Sequence, residues 1–546
     1  MAEFKRVINV IPLTRLGFSS SQIFTYSVPT ELYDKMRPGQ VVKIPFRSRT
    51  IFGLVSSVEM HRLKNEVKGL KSVIALLSAI PVMTEKNLVL MNWAAGYYVS
   101  PLGVMAKAMM PKPVKRSAPR SEQTYEKRDP DFVLTEAQRA ALNQIVGSLG
   151  RTGEFLLSGP RGSGKTEVCL QVVKRVVGAG KQVIFLVPET SYLSSTFELL
   201  GRRFGVDNIA LLHSELRDTE RFWEWQKVAS QDKSIILGTR SAIFAPARNL
   251  GAVIILDEHH SSYKQYDQQP KYDARRVAAE LSREWQCPLV SCSATPSVGL
   301  YERCVSGPAL LLVLSDRIKA DVHEPRHRIV AVDVKVADGQ TDVMSAALRV
   351  ELTQALLKKR STLLIFTKKQ AGRLTDELHE LFLEEFRSDK PEVVRLSQNE
   401  ILIDPSHQSA PPALLAILDA DFYLRWQDFR AAERAFQYLS HLASRLGSGK
   451  EAGILLLQTA MPEHYVIQAV KLGSYKRFFE EEIRRRKEQN DPPFSKLVKI
   501  STRTPGQGRE VIRVLKLPLA RPLNLAELPG ELPKDMDIDV DPESLL

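Results

Sequence analysis

The segment LLSGPRGSGKTEV, residues 156–168, confines this chain more than any other stretch in it. An apolar run leads into Gly159, four residues, then Gly164-Lys165-Thr166 and a helical pattern. This is the spacing of a phosphate-binding loop set between a strand and a helix. The chemistry needs that order, because backbone N–H groups and the positive end of the following helix must converge on polyphosphate oxygens. Gly159, Gly162 and Gly164, with Ser163 among them, let the backbone come close. Lys165 can reach the outer phosphates, and the Thr166 hydroxyl stands where it can hold a Mg²⁺ ion.

A chain of 546 residues exceeds one ordinary core and implies several domains of roughly 100 to 200 residues. No apolar stretch approaches the ~20 residues of a membrane span, and MAEFKRVINVIPL lacks the apolar core of a secretory leader. The expected setting is cytoplasmic and nucleoid-associated, with no membrane partner. Four cysteines, Cys169, Cys287, Cys292 and Cys304, show no Cys-x-x-Cys pairing, so reduced, buried thiols are expected and zinc is not. The net charge is +13, and residues 1–130 hold 20 Lys+Arg against 9 Asp+Glu, which places 20 − 9 = 11 of those charges in the first quarter. Such one-ended charge suits a polyanion, although a well-solvated surface has the same composition.

Short apolar segments broken by turns (FKRVINVIP, QIFTYSVP, QVVKIPF, TIFGLVSSVE) and a helical part predict a small β-rich domain over residues 1–110. A Pro-, Ser- and charge-rich linker over 111–132 follows. From 133 to 328, EFLLSG, QVIFLVP, SIILGT, AVIILDE and PLVSCSAT alternate with helical stretches, the pattern of a parallel sheet covered on both faces. A second alternating region over 329–460 predicts another α/β lobe, and 461–546 forms a C-terminal segment. The fold class is α/β, two parallel-sheet lobes in tandem.

Further motifs sit at strand ends. Asp257-Glu258-His259-His260 ends an apolar run, where one carboxylate could hold Mg²⁺ and a second polarise water. Ser293-Ala294-Thr295-Pro296 closes the next strand with small hydroxylated residues. Gln138 either hydrogen-bonds both edges of an adenine or serves the helix cap begun by Thr135.

The order Gln138, GPRGSGKT, LVPET, GTRSAIFAP, DEHH and SCSATP resembles the first motor lobe of superfamily 2 helicases. The longer stretches LHSELRDTERFWEW, GTRSAIFAP, HHSSYKQYDQQPKYDARRVA and DADFYLRWQDFRAAERAFQ resemble the bacterial replication-restart helicases of the PriA family, as do FTYSVP with VVKIPF and the terminal DIDVDPESLL. That resemblance implies RecA-like lobes and ATP with Mg²⁺, the metal held through Thr166 and Asp257. It assigns catalytic roles to Lys165, Asp257, Glu258 and Arg445, and DNA contacts to Phe24, Thr25, Tyr26 and Arg240. It also implies 3′→5′ unwinding, with branched and single-stranded DNA, a replicative helicase loader and single-strand-binding protein as partners.

The chain departs from the family's pattern in several places. Read without gaps from Leu250, the first acidic position falls on Leu256; read from the carboxylates, it falls on Asp257, and His260 completes the motif. The second register is the one expected here. In the second lobe, Pro405, Pro411 and Pro412 stand where a DNA-gripping segment carries glycines. HLASRLGS has His441 for Gln, Ser444 for Gly, and Ser448 for the terminal arginine that neutralises charge on a transferred phosphoryl, leaving Arg445. The zinc insertion has no counterpart, and the winged-helix region shrinks to the linker. Two readings remain: a helicase with weakened unwinding, or a DNA-binding scaffold that keeps nucleotide as a switch.

Overall fold

The computed structural model describes residues 4–17, 21–62, 69–112, 114, 132–315, 328–333, 343–385, 392–397, 400–404, 412–446, 453–504, 508–519 and 536–545. Most of the expected linker, together with Pro405, Pro411 and Ser448, lies outside them. The chain divides into two compact units, residues 1–316 with 494–543 and residues 317–493 with 544–546.

The first unit opens with an antiparallel sheet of β1 (Phe4–Pro12), β2 (Phe24–Ser27), β3 (Val41–Phe46), β4 (Arg49–Arg62) and β5 (Ala75–Leu76), ordered β2-β1-β4-β3-β5. Its strands alternate, so each face takes its own apolar set. Ile8, Val10, Tyr26, Val42, Ile44 and Val55 fill one side, and Ile11, Leu13, Val41 and Leu54 the other. The second face is covered by α1 (Glu85–Tyr97) and α2 (Leu102–Met109). Thr84 and Asn87 cap α1 reciprocally, and its apolar residues recur at helical spacing.

These helices also face the parallel-sheet lobe: the same core continues through Phe222, Trp225, Phe244, Tyr263 and Tyr272. Trp225 Nε1 donates to the Val82 carbonyl at 2.7 Å, and Asn87 Nδ2 to that of Phe244 at 3.2 Å. Helix α1 has apolar residues for two partners, and the lobe is the second.

The lobe comprises α3 (Glu136–Val146), β6 (Gly153–Ser158), α4 (Lys165–Gly178), β7 (Gln182–Leu186), α5 (Leu193–Phe204), β8 (Ile209–Leu212), α6 (Asp218–Ala229), β9 (Ile235–Gly238), β10 (Leu250–Ile255), α7 (Ala274–Trp285), β11 (Pro288–Ser293), α8 (Val298–Val305) and β12 (Leu310–Val313). Its seven strands lie in the order β12-β6-β11-β10-β7-β9-β8, all pairings parallel. The central strands are buried end to end, as near-continuous runs such as VIIL demand.

The second unit carries β13 (Arg328–Asp333), α9 (Ala346–Leu357), β14 (Thr362–Ile365), α10 (Ala371–Glu385), β15 (Glu392–Ser397), β16 (Glu400–Asp404), β17 (Leu414–Ile417), α11 (Ala431–Ala443), β18 (Ile454–Thr459), α12 (Tyr465–Lys471) and α13 (Tyr475–Glu488). The strands β13-β18-β17-β14 pair in parallel as expected, but β16 and β15 extend the sheet antiparallel. Only two residues separate β15 from β16, too few for a parallel crossover.

The tail, expected as one segment, is shared. Residues 461–493 belong to the second unit, whereas β19 (Lys496–Thr504), β20 (Gly508–Leu517) and β21 (Met536–Val540) form a three-stranded antiparallel sheet in the first.

Candidate nucleotide site and nucleic-acid cleft

Strand β6 ends at Ser158, and α4 begins at Lys165. The turn between them needs left-handed backbone at two places, and both are glycines: Gly162 at φ 85° and Gly164 at φ 81°. A Cβ on Gly159 would come within 2.4 Å of the Leu314 carbonyl oxygen. Gly164 is the N-cap of α4 and brings no side-chain cap, so the first-turn N–H groups remain for an anion. Lys165 Nζ donates to the carbonyls of Gly159 at 2.7 Å and Pro160 at 2.8 Å. Burial pulls its pKa below the usual lysine range, opposed by Cys292 and Asp257. An ammonium held this way, over bare N–H groups, suits a polyphosphate, and the exposed Thr166 stands beside it on the first turn.

Gln138 braces this cradle. It is 3% exposed, and Thr135 N donates to its Oε1 at 3.0 Å in a capping box. Its Nε2 donates to the Ser163 carbonyl at 2.9 Å. Each end of its amide is thus engaged with protein, within the cap that Thr135 begins.

The expected pair of carboxylates does not face the cradle together. Asp257, at φ 45°, lies near enough to Lys165 to act on its charge. Glu258 is 1% exposed, and its carboxylate accepts from Ser297 N at 2.6 Å and Ser297 Oγ at 2.9 Å, at the start of α8. The histidine that meets the end of β11 is His259, with Nδ1 2.7 Å from Ser293 Oγ. His260, expected to complete the acidic motif, faces Ser262 at 2.9 Å and Glu189 at 3.4 Å. Ser297 is 39 positions from Glu258, and nothing local in the sequence announces their meeting. Replacing Glu258 with Ala should cost about 1–3 kcal/mol, because the Ser297 N–H and hydroxyl lose their buried acceptor. Urea unfolding checks this; stability unchanged within about 0.5 kcal/mol would show that the contact carries no weight.

In the second unit Arg445 Nη1 donates to Glu400 Oε1 at 3.1 Å, with both side chains part-exposed. Cys169 and Cys292 bring their sulfurs within 3.1 Å of each other; both are buried, as is Cys287.

The expected DNA-contacting trio separates by strand alternation. Phe24 is half-buried and sets its ring edge-on to Phe46, 5.2 Å between centroids. Thr25 is exposed and donates to Asn9 Oδ1 at 2.8 Å. Tyr26 is 4% exposed in the core, with its hydroxyl on the Pro45 carbonyl, so its ring is not available for stacking.

Arg240 lines a cleft of about 740 Å³ in the first unit, which also takes Arg15, Lys107 and Arg221 and the carboxylates of Glu189, Glu215 and Asp267. Its guanidinium is spent largely on protein: Nη1 donates to the Lys264 carbonyl at 2.8 Å and the Ser262 carbonyl at 3.3 Å, and Nη2 to Gln265 Oε1 at 3.1 Å. It therefore holds the loop that follows His260. That loop is tied to the acidic stretch by Tyr263, whose hydroxyl donates to the Leu256 carbonyl at 2.6 Å. Among the described residues no helix is long and apolar enough to cross a membrane.

Residues 10–111 match the family model of the 3′ DNA-binding domain (3′BD), and residues 135–302 match that of the DEAD/DEAH box helicases. The chain is 29% identical over 461 residues to "Replication restart protein PriA" of Bacillus subtilis (strain 168), a match covering 69% of this chain and 56% of that protein. It is 26% identical over 567 residues to the protein of the same name from Treponema pallidum (strain Nichols), covering 88% and 85%. The first of these matches thus spans little more than half the length of its relative. Among solved structures, RecG bound to a three-way DNA junction aligns over 88% of this chain and 73% of that one, at 14% identity and a TM-score of 0.40.

Proposed function

From the premise that this chain is a divergent relative of the PriA replication restart proteins, we propose that it binds branched or single-stranded DNA and ATP·Mg²⁺ in replication restart. In this reading it hydrolyses ATP slowly and unwinds DNA poorly. The observation that carries the nucleotide half is the cradle: two left-handed glycines and a part-buried Lys165 ammonium at an uncapped helix start. Lys165 would hold the outer phosphates, and Thr166 and Asp257 would hold the metal, which when bound neutralises phosphate charge. DNA binding rests on the 3′ DNA-binding domain match and the concentration of positive charge in residues 1–130. A helicase loader and single-strand-binding protein are the partners that the kinship suggests.

Slow hydrolysis is supported by two losses. Glu258 is engaged with Ser297, and Ser448 stands where relatives place an arginine that meets charge on the γ-phosphoryl. The same losses favour a second reading, a scaffold in which nucleotide acts only as a switch. ATP turnover measured with and without forked DNA separates them: slow, fork-stimulated turnover is expected. Ser448→Arg should raise turnover without restoring unwinding. Brisk unwinding by the unaltered chain would overturn the proposal, and undetectable turnover with intact ATP binding would select the scaffold.

A further inference from the structure

The end of the chain alternates acid with apolar. Asp537, Asp539, Asp541 and Glu543 occur at every second position, with Ile538 and Val540 between them. Ile538 and Val540 enter the large core, and the acids find partners across the same interface.

Lys264 is 0% exposed. Its ammonium lies 2.8 Å from Asp539 Oδ1 and donates to the carbonyls of Lys271, at 2.8 Å, and Val540. Lys271 Nζ lies 2.8 Å from Asp537 Oδ2. Gln269 Nε2 donates to Asp537 and to the Ile538 carbonyl. Tyr97 donates to Asp541 at 2.6 Å. Arg275 pairs with Glu543 and Asp273, and donates to the Glu258 carbonyl at 3.1 Å.

All these partners except Tyr97 belong to the loop 264–273 or its exit into α7. The loop is closed by the Lys264↔Asp273 bridge and reaches the cleft with Tyr266, which is 65% exposed, and with Asp267 and Gln268. Arg240 donates to the incoming arm at Ser262, Lys264 and Gln265 and lies over the Tyr272 ring of the outgoing arm, 5.7 Å from its centroid, while the acidic strand also holds the incoming arm at Lys264. The outgoing arm, at Gln269 and Lys271, is gripped by the acidic strand. Buried ion pairs contribute little net stability but tolerate little displacement, so they fix geometry rather than add strength.

We propose that the acidic face of the C-terminal strand is the positioning element of the loop 264–273, so that this strand governs how nucleic acid is held in the cleft. The second half of that statement rests on the nucleic-acid reading given under Proposed function and on the four cations that line the cleft, Arg15, Lys107, Arg221 and Arg240. The acids touch no ligand themselves; they act through Lys264, Lys271 and Arg275.

The test uses the full chain carrying Asp537→Asn with Asp539→Asn, followed by amide hydrogen exchange and by anisotropy of a fluorescent oligothymidylate. Exchange across residues 265–272 should rise at least ~10-fold while β10 and α4 keep their protection, since only one clamp is released. Oligonucleotide affinity should fall ~3- to 10-fold. If the double variant does not fold, Glu543→Gln at the outer end of the ladder carries the same test, with an exchange rise of at least ~threefold at the outgoing arm. Unchanged exchange in a folded variant overturns the positioning role. A loosened loop with unchanged affinity overturns its link to the cleft. If the unaltered chain does not bind the oligonucleotide, the nucleic-acid reading fails by itself, and the exchange arm still decides the clamp.

Discussion

Lys165→Ala is expected to lower nucleotide affinity at least ~100-fold, because two or more charge-assisted hydrogen bonds of about 1.5–3 kcal/mol each disappear from a partly buried site. The loss should be local. The ammonium's present partners are the Gly159 and Pro160 carbonyls of the same loop, and the β-rich part with Phe24 is built on a different sheet. Binding of forked DNA in the absence of nucleotide should therefore stay within about twofold, surface changes away from a site being worth less than ~0.5 kcal/mol. Anisotropy of a fluorescent ATP analogue reads the first effect and that of a labelled fork the second. An affinity reduced by less than threefold would mean that the cradle is a relic of a phosphate site.

Trp225→Ala should be the most destabilising single change in the first unit. The indole is 1% exposed, sits in the core shared by α1, α2 and the parallel-sheet lobe, and donates to the Val82 carbonyl. Truncating a buried Trp costs about 3–5 kcal/mol through the cavity it leaves. Because the core is continuous, the antiparallel sheet and the lobe should lose structure in one transition. Urea unfolding followed by tryptophan fluorescence and by far-ultraviolet dichroism tests both points. Two separated transitions in the unaltered chain, or a loss below 1 kcal/mol in the variant, would argue for independent domains.

What the sequence disclosed and what it concealed divide along a physical line. The cradle was legible to the residue, since strand, glycines, lysine and helix are consecutive and each has a local conformational reason. The strands of the first lobe were legible from apolar runs such as QVIFL and VIIL, whose burial needs no knowledge of neighbours. The partner of Glu258 could not be read locally, because two adjacent parallel strands bring Ser297 to it. Tyr26 could have been assigned inward from the period of two that exposes Thr25, had the alternation outweighed the family pattern. The acidic ladder showed its own periodicity, but its lysines lie some 270 positions away, and only the fold brings them together; the Lys264 hydrogen bond to Val540 spans 276. The antiparallel edge of the second sheet went unread because EVVRLS and EILID carry charges at their ends and were outweighed by longer apolar runs.

The return of residues 494–543 to the first unit also constrains the order in which that unit can be finished during synthesis. The chain emerges from its N-terminus, so Lys264 and Lys271 are made long before Asp537 and Asp539, with the whole second unit between them. Until those acids arrive, two ammonium groups have a place in the interior but no counter-charge there, and the cost of desolvating an unpaired charge keeps such groups in water. The loop after His260 therefore remains unset while the second unit is being made, and the first-born part of the protein is the last to be completed.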